Sequence, residues 1–289
     1  LDCHPALPYY VSGGGGGGVL LWKEAEAHVV AQFGQGVSGG KAKAVGFASA
    51  PDAKDRITRV RFNANGLSLA ACGNRGAVWM WQTTRPEEPL EVLPAHSKRA
   101  SDVAFLNSTT VLAVSGSSPV DGGGGGGGSG GGHSLRVYDI CCPPSSWEVA
   151  SAAAHPDGGT SFCMFYDEHS RALVSGGERG DISVFDLRMQ RVRRTITGAH
   201  TKAIKTLSLD PLGRYFASGS TDGDVKVWDL PALEHSVTLG GLHPERTLMN
   251  HKLADTMIAR YGVTEVVLGD DWLYTCGANG KVLAVPKVW

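Results

Sequence analysis

Three residue types that together catalyse acyl transfer lie close in the sequence: His200, Ser218 and Asp222. A hydrolase built on them needs an exposed serine, an imidazole within reach of it and an oxyanion hole. Ser218 lies inside the apolar run Tyr-Phe-Ala-Ser-Gly, and no Gly-x-Ser-x-Gly elbow surrounds it. The sequence therefore favours a structural role for these side chains. A Ser218 that opens onto a cleft with paired backbone donors would favour the hydrolase instead.

Two glycine tracts, 13–18 and 122–132, are the next candidates, because glycine-rich loops cradle phosphates. Each tract is followed by a strand-like run and not by a helix. Both are interpreted as flexible hairpin inserts without nucleotide binding. The adjacent carboxylates Asp270 and Asp271 lie at a predicted turn and are interpreted as solvated.

The spacing of the histidines and cysteines gives little support for a metal site or for thiol chemistry. His155, His169 and His200 have no metal-ligand spacing, and the six cysteines contain no C-x-x-C pair. We therefore expect no metal, no cofactor and no dense disulfide framework. Scattered free thiols are typical of a reducing, cytosolic protein.

A cluster of arginines is the strongest candidate for a charged contact. It comprises Arg188, Arg191, Arg193 and Arg194. Such a run either binds an acidic partner or forms a solvated strand edge that discourages edge pairing. Both interpretations stay open, and the four residues are candidate partner contacts.

Composition limits the possible classes of protein. Apolar residues make up 42% of the 289 residues, and 27 Lys and Arg balance 28 Asp and Glu, for a formal net charge of −1. A chain of this kind can bury a core, and it has no overall attraction to nucleic acid or anionic membrane. No apolar run is long enough to span a membrane. The start lacks a Met and a signal-peptide layout, so the chain is expected to be a piece of a longer protein.

A repeat positions all of these residues. The unit around Trp228 predicts three short strands separated by turns, one of them the tight-hairpin pair Asp222-Gly223. In each unit a small residue of the middle strand precedes a bulky residue of the third strand by ten positions. The pairs are Ser12 and Trp22, Ala71 and Trp81, Ser175 and Phe185, Ser218 and Trp228, and Thr275 and Val285, with Ser115 and Tyr138 spread apart by the second glycine tract. Ala-His doublets at His96, His155 and His200 begin three successive units.

These features resemble the WD-repeat family, whose blades are four-stranded antiparallel sheets. The resemblance implies an all-β WD-repeat propeller in one domain, 1–289. It also implies a buried hydrogen-bonded network of His200, Ser218, Asp222 and Trp228. The preceding unit has Arg179 and Phe185 in two of these positions, so its edge is expected to be less rigid. The expected blades are 1–33, 57–94, 95–154, 155–198, 199–240 and 263–289.

Six blades are recognisable, and family members usually have seven. The first blade is expected to be incomplete, with a short opening strand at 1–4 and with the outer strand that precedes this strand missing. A seventh blade, or the closing strand, is expected upstream of residue 1, since open sheet edges are avoided.

Several phrases indicate a narrower resemblance, to the C-terminal propeller of the rabconnectin (DmX-like) family. They are His4-Pro5, Tyr9-Tyr10, the segments 58–66, 96–105 and 204–216, and Cys276-Gly277-Ala-Asn-Gly280. That family includes the large subunit of the complex that regulates assembly of the vacuolar-type proton ATPase (the RAVE complex). The resemblance implies a non-catalytic scaffold that binds subunits of this ATPase and acts in organelle acidification. It implies a cytoplasmic protein, recruited to endomembranes by its partners without inserting into them. The alternative is a WD-repeat adaptor in trafficking or ubiquitin ligation.

Long connections between the repeats are further candidates for partner contacts. They are 34–55 and 240–262, and the second contains a weak helical period at 247–262.

Overall fold

The computed structural model describes residues 1–25, 28–34, 51, 54–87, 89–107, 110–117, 133–155, 159–243 and 262–289. Within these ranges the chain is built of β-strands, with one 3-10 turn at Pro144–Ser146. The strands form six antiparallel sheets of the propeller-blade type, which confirms the all-β class. They fall into two compact units, Leu1–Gly158 and Gly159–Trp289. The connections 34–55 and 240–262, the second glycine tract and the predicted helix at 247–262 lie largely or wholly outside the described residues.

The first unit contains three four-stranded sheets, each with its strands in chain order from one edge to the other. The strands are β1 (Asp2–Cys3), β2 (Tyr9–Gly13), β3 (Val19–Lys23), β4 (His28–Phe33), β5 (Ile57–Phe62), β6 (Ser68–Gly73), β7 (Ala77–Gln82), β8 (Glu91–Pro94), β9 (Arg99–Phe105), β10 (Val111–Ser117), β11 (Leu135–Asp139) and β12 (Glu148–Ala152).

The second unit contains two four-stranded sheets and one three-stranded sheet. Its strands are β13 (Ser161–Asp167), β14 (Ala172–Gly177), β15 (Ile182–Asp186), β16 (Arg191–Ile196), β17 (Ile204–Leu209), β18 (Tyr215–Ser220), β19 (Val225–Asp229), β20 (Glu234–Leu239), β21 (Val263–Leu268), β22 (Trp272–Gly277) and β23 (Val282–Pro286).

The short opening strand expected for the first blade is β1, which is two residues long. Strands β1 to β4 form a complete four-stranded sheet, and β4 is its outer strand. Among the described residues, the sheet with only three strands is the last one, β21–β23. The first blade is therefore complete in itself, contrary to expectation, and the outer strand expected before it stays a prediction. The seventh blade stays a prediction.

The same irregularity recurs in five first strands of these sheets. In β5, β9, β13, β17 and β21 one residue near the beginning has no partner on the neighbouring strand, which is a β-bulge. The extra residues are Thr58, Ser101, Phe162, Lys205 and Thr264. A bulge increases local twist and re-aims the extra side chain, so the five positions are structurally equivalent.

Alternation along the strands supplies the core of each unit. In the second unit, Phe216 and Trp228 are buried and their rings stack with centroids 6.1 Å apart. They pack with side chains of β14, β15 and β17 in one apolar cluster. Trp228 of this cluster also donates a hydrogen bond to Ser218, one of the polar residues that the repeat pattern singled out.

Candidate functional site

The structure brings His200, Ser218, Asp222 and Trp228 together at hydrogen-bonding distance. The Trp228 indole Nε1 donates to Ser218 Oγ at 2.9 Å, and Ser218 Oγ lies 2.7 Å from His200 Nε2. His200 Nδ1 lies 3.2 Å from Asp222 Oδ2. Strands β18 and β19 carry the serine and the tryptophan, and the turn between these strands carries the aspartate. One protonation pattern satisfies every donor: the Nδ1–H of His200 donates to the Asp222 carboxylate, and the Ser218 hydroxyl donates to Nε2.

The electrostatics of this network keep the aspartate charged. Burial alone would raise the pKa of Asp222, but hydrogen bonds from His200 and from the backbone N–H groups of Asp224 and Thr201 lower that pKa far below its usual range. The backbone donors also fix the turn against the segment that leads into β17. The network therefore joins two parts of one blade.

The burial and the hydrogen bond of Ser218 argue against the hydrolase interpretation. Ser218 is 0% exposed, and its oxygen already accepts the Trp228 N–H. A serine without access to solvent does not present its oxygen to a substrate. The order of atoms resembles a triad, but their environment is that of a packed core.

Other blades contain parts of the network. In the first sheet, Trp22 Nε1 donates to Ser12 Oγ at 2.8 Å. In the second sheet, Ala71 occupies the serine position, and no described residue accepts a hydrogen bond from the buried Trp81 Nε1. In the third sheet the bulky residue is Tyr138, whose hydroxyl donates to the carbonyl oxygen of Ala95 at 3.0 Å.

The fourth sheet differs as its sequence suggests. Phe185 is buried where the other blade has Trp228, and Arg179 is exposed at the turn where that blade has Asp222. The lower rigidity expected for this edge stays a prediction.

Sequence reasoning missed a further network in the last sheet. His243 Nε2 lies 2.9 Å from Thr275 Oγ1, and His243 Nδ1 lies 3.2 Å from Asn279 Oδ1. The three residues occupy the positions of His200, Ser218 and Asp222. Leu242 replaces the alanine of the Ala-His doublet and Asn279 replaces the aspartate, so the doublet search overlooked them. The spacing of 43 residues from His200 to His243, a typical blade length, was the available signal.

A buried ion-pair cluster on the first strands of the first unit was also missed. Asp102 Oδ1 on β9 lies 3.3 Å from Arg59 Nε and 3.8 Å from Arg61 Nε, both on β5. Arg61 in turn lies 3.5 Å from Asp2 on β1. The cluster spans three sheets, through β1, β5 and β9, and no sequence period links its members. Removing one member of a buried pair is strongly destabilising, so the cluster acts as a tie between blades.

The four arginines of the candidate partner edge do not form one continuous row. Arg188 precedes β16 and pairs with Asp186 at 3.6 Å, and Arg194 Nη1 donates to the carbonyl oxygen of Ala232 at 2.9 Å. Arg193 is the bulged residue of β16, because Val184 pairs with Arg194 and Phe185 with Val192. Arg191 and Arg193 are exposed on this outer strand. These two side chains are the members best placed for a partner.

Across the residues that the structure describes, no group of three or more His, Cys, Asp or Glu side chains is arranged to hold a metal ion. No helix in the described ranges has the length and apolar character needed to cross a membrane.

The antiparallel four-stranded sheets and the histidine–serine–aspartate–tryptophan network are features typical of WD-type repeats. In agreement, residues 191–229 match the sequence model of the family WD40, described as WD domain, G-beta repeat.

Comparison along the whole chain points to a more specific group of proteins than the repeat does. The chain is 26% identical over 291 residues to DmX-like protein 1 of Mus musculus, and 26% identical over 293 residues to DmX-like protein 1 of Homo sapiens. Each alignment covers 98% of this chain and 8% of the relative. The resemblance to the DmX-like family that the sequence phrases indicated is therefore confirmed, and the chain spans only a small part of the length of these relatives.

Proposed function

We propose that this chain is a non-catalytic protein-interaction scaffold within a regulator of vacuolar-type proton ATPase assembly. The observation that carries the proposal is the similarity to DmX-like protein 1 along 98% of the chain. The resemblance to the rabconnectin (DmX-like) family supplies the link to the proton ATPase and to organelle acidification. A propeller of WD-type blades supports the scaffold role, because its rigid sheets hold exposed loops and strand edges for partners.

The network around Ser218 supports the non-catalytic part of the proposal. Its polar atoms hold β18 and β19 against the segment that leads into β17, and the serine is buried. The proposed location is the cytoplasm, with recruitment to endomembranes through bound proteins. A WD-repeat adaptor in trafficking or ubiquitin ligation is the alternative.

Affinity purification of the full-length protein from extracts of its own cells tests the assignment. We expect subunits of the proton ATPase among the recovered proteins. Recovery of another machinery in their place, with no proton ATPase subunit, would overturn the assignment in favour of the adaptor.

The outer edge of β16 is the proposed contact for an acidic partner. Charge reversal in Arg191→Glu/Arg193→Glu is expected to reduce recovery of that partner, since both side chains are exposed. The matched control is Arg214→Glu, which reverses an exposed charge at the β17–β18 turn of the same unit. Equal recovery with both variants would contradict this contact.

A further inference from the structure

Two of the six cysteines are neighbours in the chain, on the turn between β11 and β12. Cys141 is exposed and Cys142 is half-buried. A search for C-x-x-C spacing passes over them, because no residue lies between the two. Cys72 and Cys163 are buried by contrast, and a thiol without access to solvent is inert toward soluble reagents. The turn therefore carries an adjacent pair of thiols at the surface.

Hydrogen bonds fix the backbone that carries this pair. The N–H of Cys141 donates to Asp139 Oδ1 at 3.0 Å, and the N–H of Cys142 donates to the Asp139 carbonyl oxygen at 3.3 Å. These two bonds define a β-turn with Ile140 and Cys141 at its centre. Pro143 follows the turn, and a residue before proline is restricted to extended conformations. The two thiols are thus attached to a backbone with a defined conformation.

The indole of Trp147 connects the thiol pair to the core of the first unit. Trp147 Nε1 donates to the carbonyl oxygen of Cys142 at 2.9 Å, and the Trp147 carbonyl oxygen accepts the N–H of Asp139 at 2.8 Å. Trp147 also packs against the apolar cluster that contains Leu112 and Tyr138. A change in the backbone at Cys142 therefore reaches this cluster through one hydrogen bond.

The spacing of consecutive residues makes a disulfide between these two thiols labile. Consecutive Cα atoms lie about 3.8 Å apart across a trans peptide, whereas disulfide-bonded residues usually lie about 4.4–6.8 Å apart. A ring closed between neighbouring residues is therefore strained, and strained or exposed disulfides are readily reduced. Such a bond is typical of a reversible modification and not of a structural cross-link.

We propose that Cys141 and Cys142 form a redox modification site that is oxidised by low-molecular-weight disulfides such as glutathione disulfide. The exposed Cys141 thiolate attacks the small disulfide, forms a mixed disulfide with one half of it and releases the other half as a thiol. The Cys142 thiolate then attacks the Cys141 sulfur, closes the disulfide and releases the second small thiol. The two cysteines lose two electrons and two protons, which convert one glutathione disulfide into two glutathione thiols.

Oxidation changes the contact with Trp147. Closing the strained ring alters the torsion angles of both cysteines, because the backbone of the reduced turn holds neighbouring Cα atoms too close for an ordinary disulfide. The Cys142 carbonyl oxygen then shifts, and its hydrogen bond from Trp147 weakens. The site goes beyond the proposed scaffold function, since the reaction is a property of the purified chain whichever complex the full-length protein joins.

Peptide mass spectrometry of the purified 289-residue chain tests the proposal. The reduced chain is incubated with glutathione disulfide at low total glutathione, free thiols are blocked, and a digest separates the pair from Cys163. We expect the peptide that contains Cys141 and Cys142 to be lighter by two hydrogen atoms and to carry no glutathione. Dithiothreitol should reverse this change. The matched control is Cys142→Ser, which should retain glutathione on Cys141 because ring closure needs both thiols.

Tryptophan fluorescence measures the connection to the core. Oxidation should change the emission of the unmodified chain, and this change should be absent in Cys142→Ser. Trp147→Phe should close the ring as the unmodified chain does but lose the change in emission. Circular dichroism of the reduced proteins should show that all three are folded.

Each part of the proposal can fail. A glutathione adduct on Cys141 of the unmodified chain without ring closure would overturn the modification site. Equal oxidation of the buried Cys72 and Cys163 would also overturn it, because the reaction would not be selective for the turn. A change in emission of the same size in Trp147→Phe would refute the connection through the indole.

The site and the proposed function fail in distinguishable ways. Loss of the proton ATPase assignment with intact ring closure refutes the scaffold proposal alone. Recovery of proton ATPase subunits by a protein whose thiol pair does not close refutes the modification site alone.

Discussion

At the scale of single residues, a hydrogen bond from a tryptophan to a serine occurs in two of the sheets. Trp22 and Trp228 each donate to a serine hydroxyl ten positions earlier in the sequence. Trp81 has Ala71 in that position, and no described residue accepts its buried N–H. A buried donor without an acceptor is destabilising by about 1–3 kcal/mol. A single hydroxyl oxygen at position 71 would supply the acceptor that Trp81 lacks in the second sheet.

Ala71→Ser is expected to stabilise the first unit by about 0.5–1.5 kcal/mol, because it supplies the acceptor that Ser218 supplies to Trp228. Urea unfolding of the variant and of the unmodified chain measures the difference. In a Trp81→Phe background the donor is gone, so the same substitution should bring no gain. A gain of equal size in that background would show that the hydroxyl acts on another group.

Trp228→Ala is expected to destabilise the second unit by about 3–5 kcal/mol, since it empties core volume and leaves Ser218 without its donor. Trp228→Phe retains most of the volume and should be destabilising by about 1–2 kcal/mol. Thermal melts followed by circular dichroism measure both. Unchanged melting of Trp228→Ala would contradict the role of this residue as the centre of its blade.

His96 gives the first unit an acid sensitivity. Burial lowers the pKa of His96 from 6.5 to about 4 in the folded chain, against a smaller opposing effect of its hydrogen bond to the Val114 carbonyl. The folded chain therefore favours the neutral imidazole. The contribution of His96 to the free energy of unfolding is fully present above pH 6.5 and is lost as the pH falls toward 4. The expected loss over this window is about 3 kcal/mol.

Urea unfolding at a series of pH values tests this expectation. His96→Gln has no titrating group at this position, so its stability should vary less between pH 6.5 and 4 than that of the unmodified chain. Equal slopes in the two proteins would contradict the assignment. The contribution of Asp222 lies at lower pH, since its carboxyl has a depressed pKa and loses its stabilising effect only as it becomes protonated.

At the scale of strands and turns, two turn glycines have positive φ angles but differ in the space around them. Gly180 has φ of +83°, and a Cβ atom there would lie 2.2 Å from the His200 carbonyl oxygen. Gly198 has φ of +64° with open space around it. Gly198→Ala should therefore be destabilising by about 1 kcal/mol from backbone strain alone.

Gly180→Ala adds a backbone collision to that strain and is expected to be destabilising by about 2 kcal/mol more than Gly198→Ala. Urea unfolding of the two variants gives the difference directly. Similar values for both would mean that the β14–β15 turn can move away from His200.

Strand positions and turn chemistry were predictable because each depends on neighbouring residues. The alternation in β18 and β19 and the Asp222-Gly223 turn are local signals, and they placed Ser218 and Trp228 in adjacent strands. Asp102 and its two arginines were not predictable, since two strands distant in sequence, β5 and β9, must meet before the charges pair. His243 was missed for a different reason. Threonine and asparagine offer the same hydrogen bonds as serine and aspartate, but they change the letters on which a motif search depends.

At the scale of the whole molecule, the last sheet differs from the sheet before it in how much of its apolar face is covered. Ala217 and Val225 of β18 and β19 are 0% exposed, because they pack against Val263, Val266 and Leu273 of the following sheet. The equivalent residues of the last sheet are Tyr274 and Val282, which are 45% and 69% exposed. Trp272 and Val267 extend this face, and within the described residues β23 pairs only with β22. The sequence did not reveal this, because the pattern of alternation is the same whether a face is covered or open.

An open apolar face beside an unpaired strand edge promotes association. The purified chain is therefore expected to bind the dye ANS and to sediment faster as its concentration rises. Tyr274→Lys/Val282→Lys places two charges on the face and should reduce both effects while the circular dichroism spectrum stays the same. Leu212→Lys alters an 83% exposed residue at the β17–β18 turn and is the matched control, with no effect expected. If the control reduces association as much as the double variant does, the last sheet is not the surface responsible.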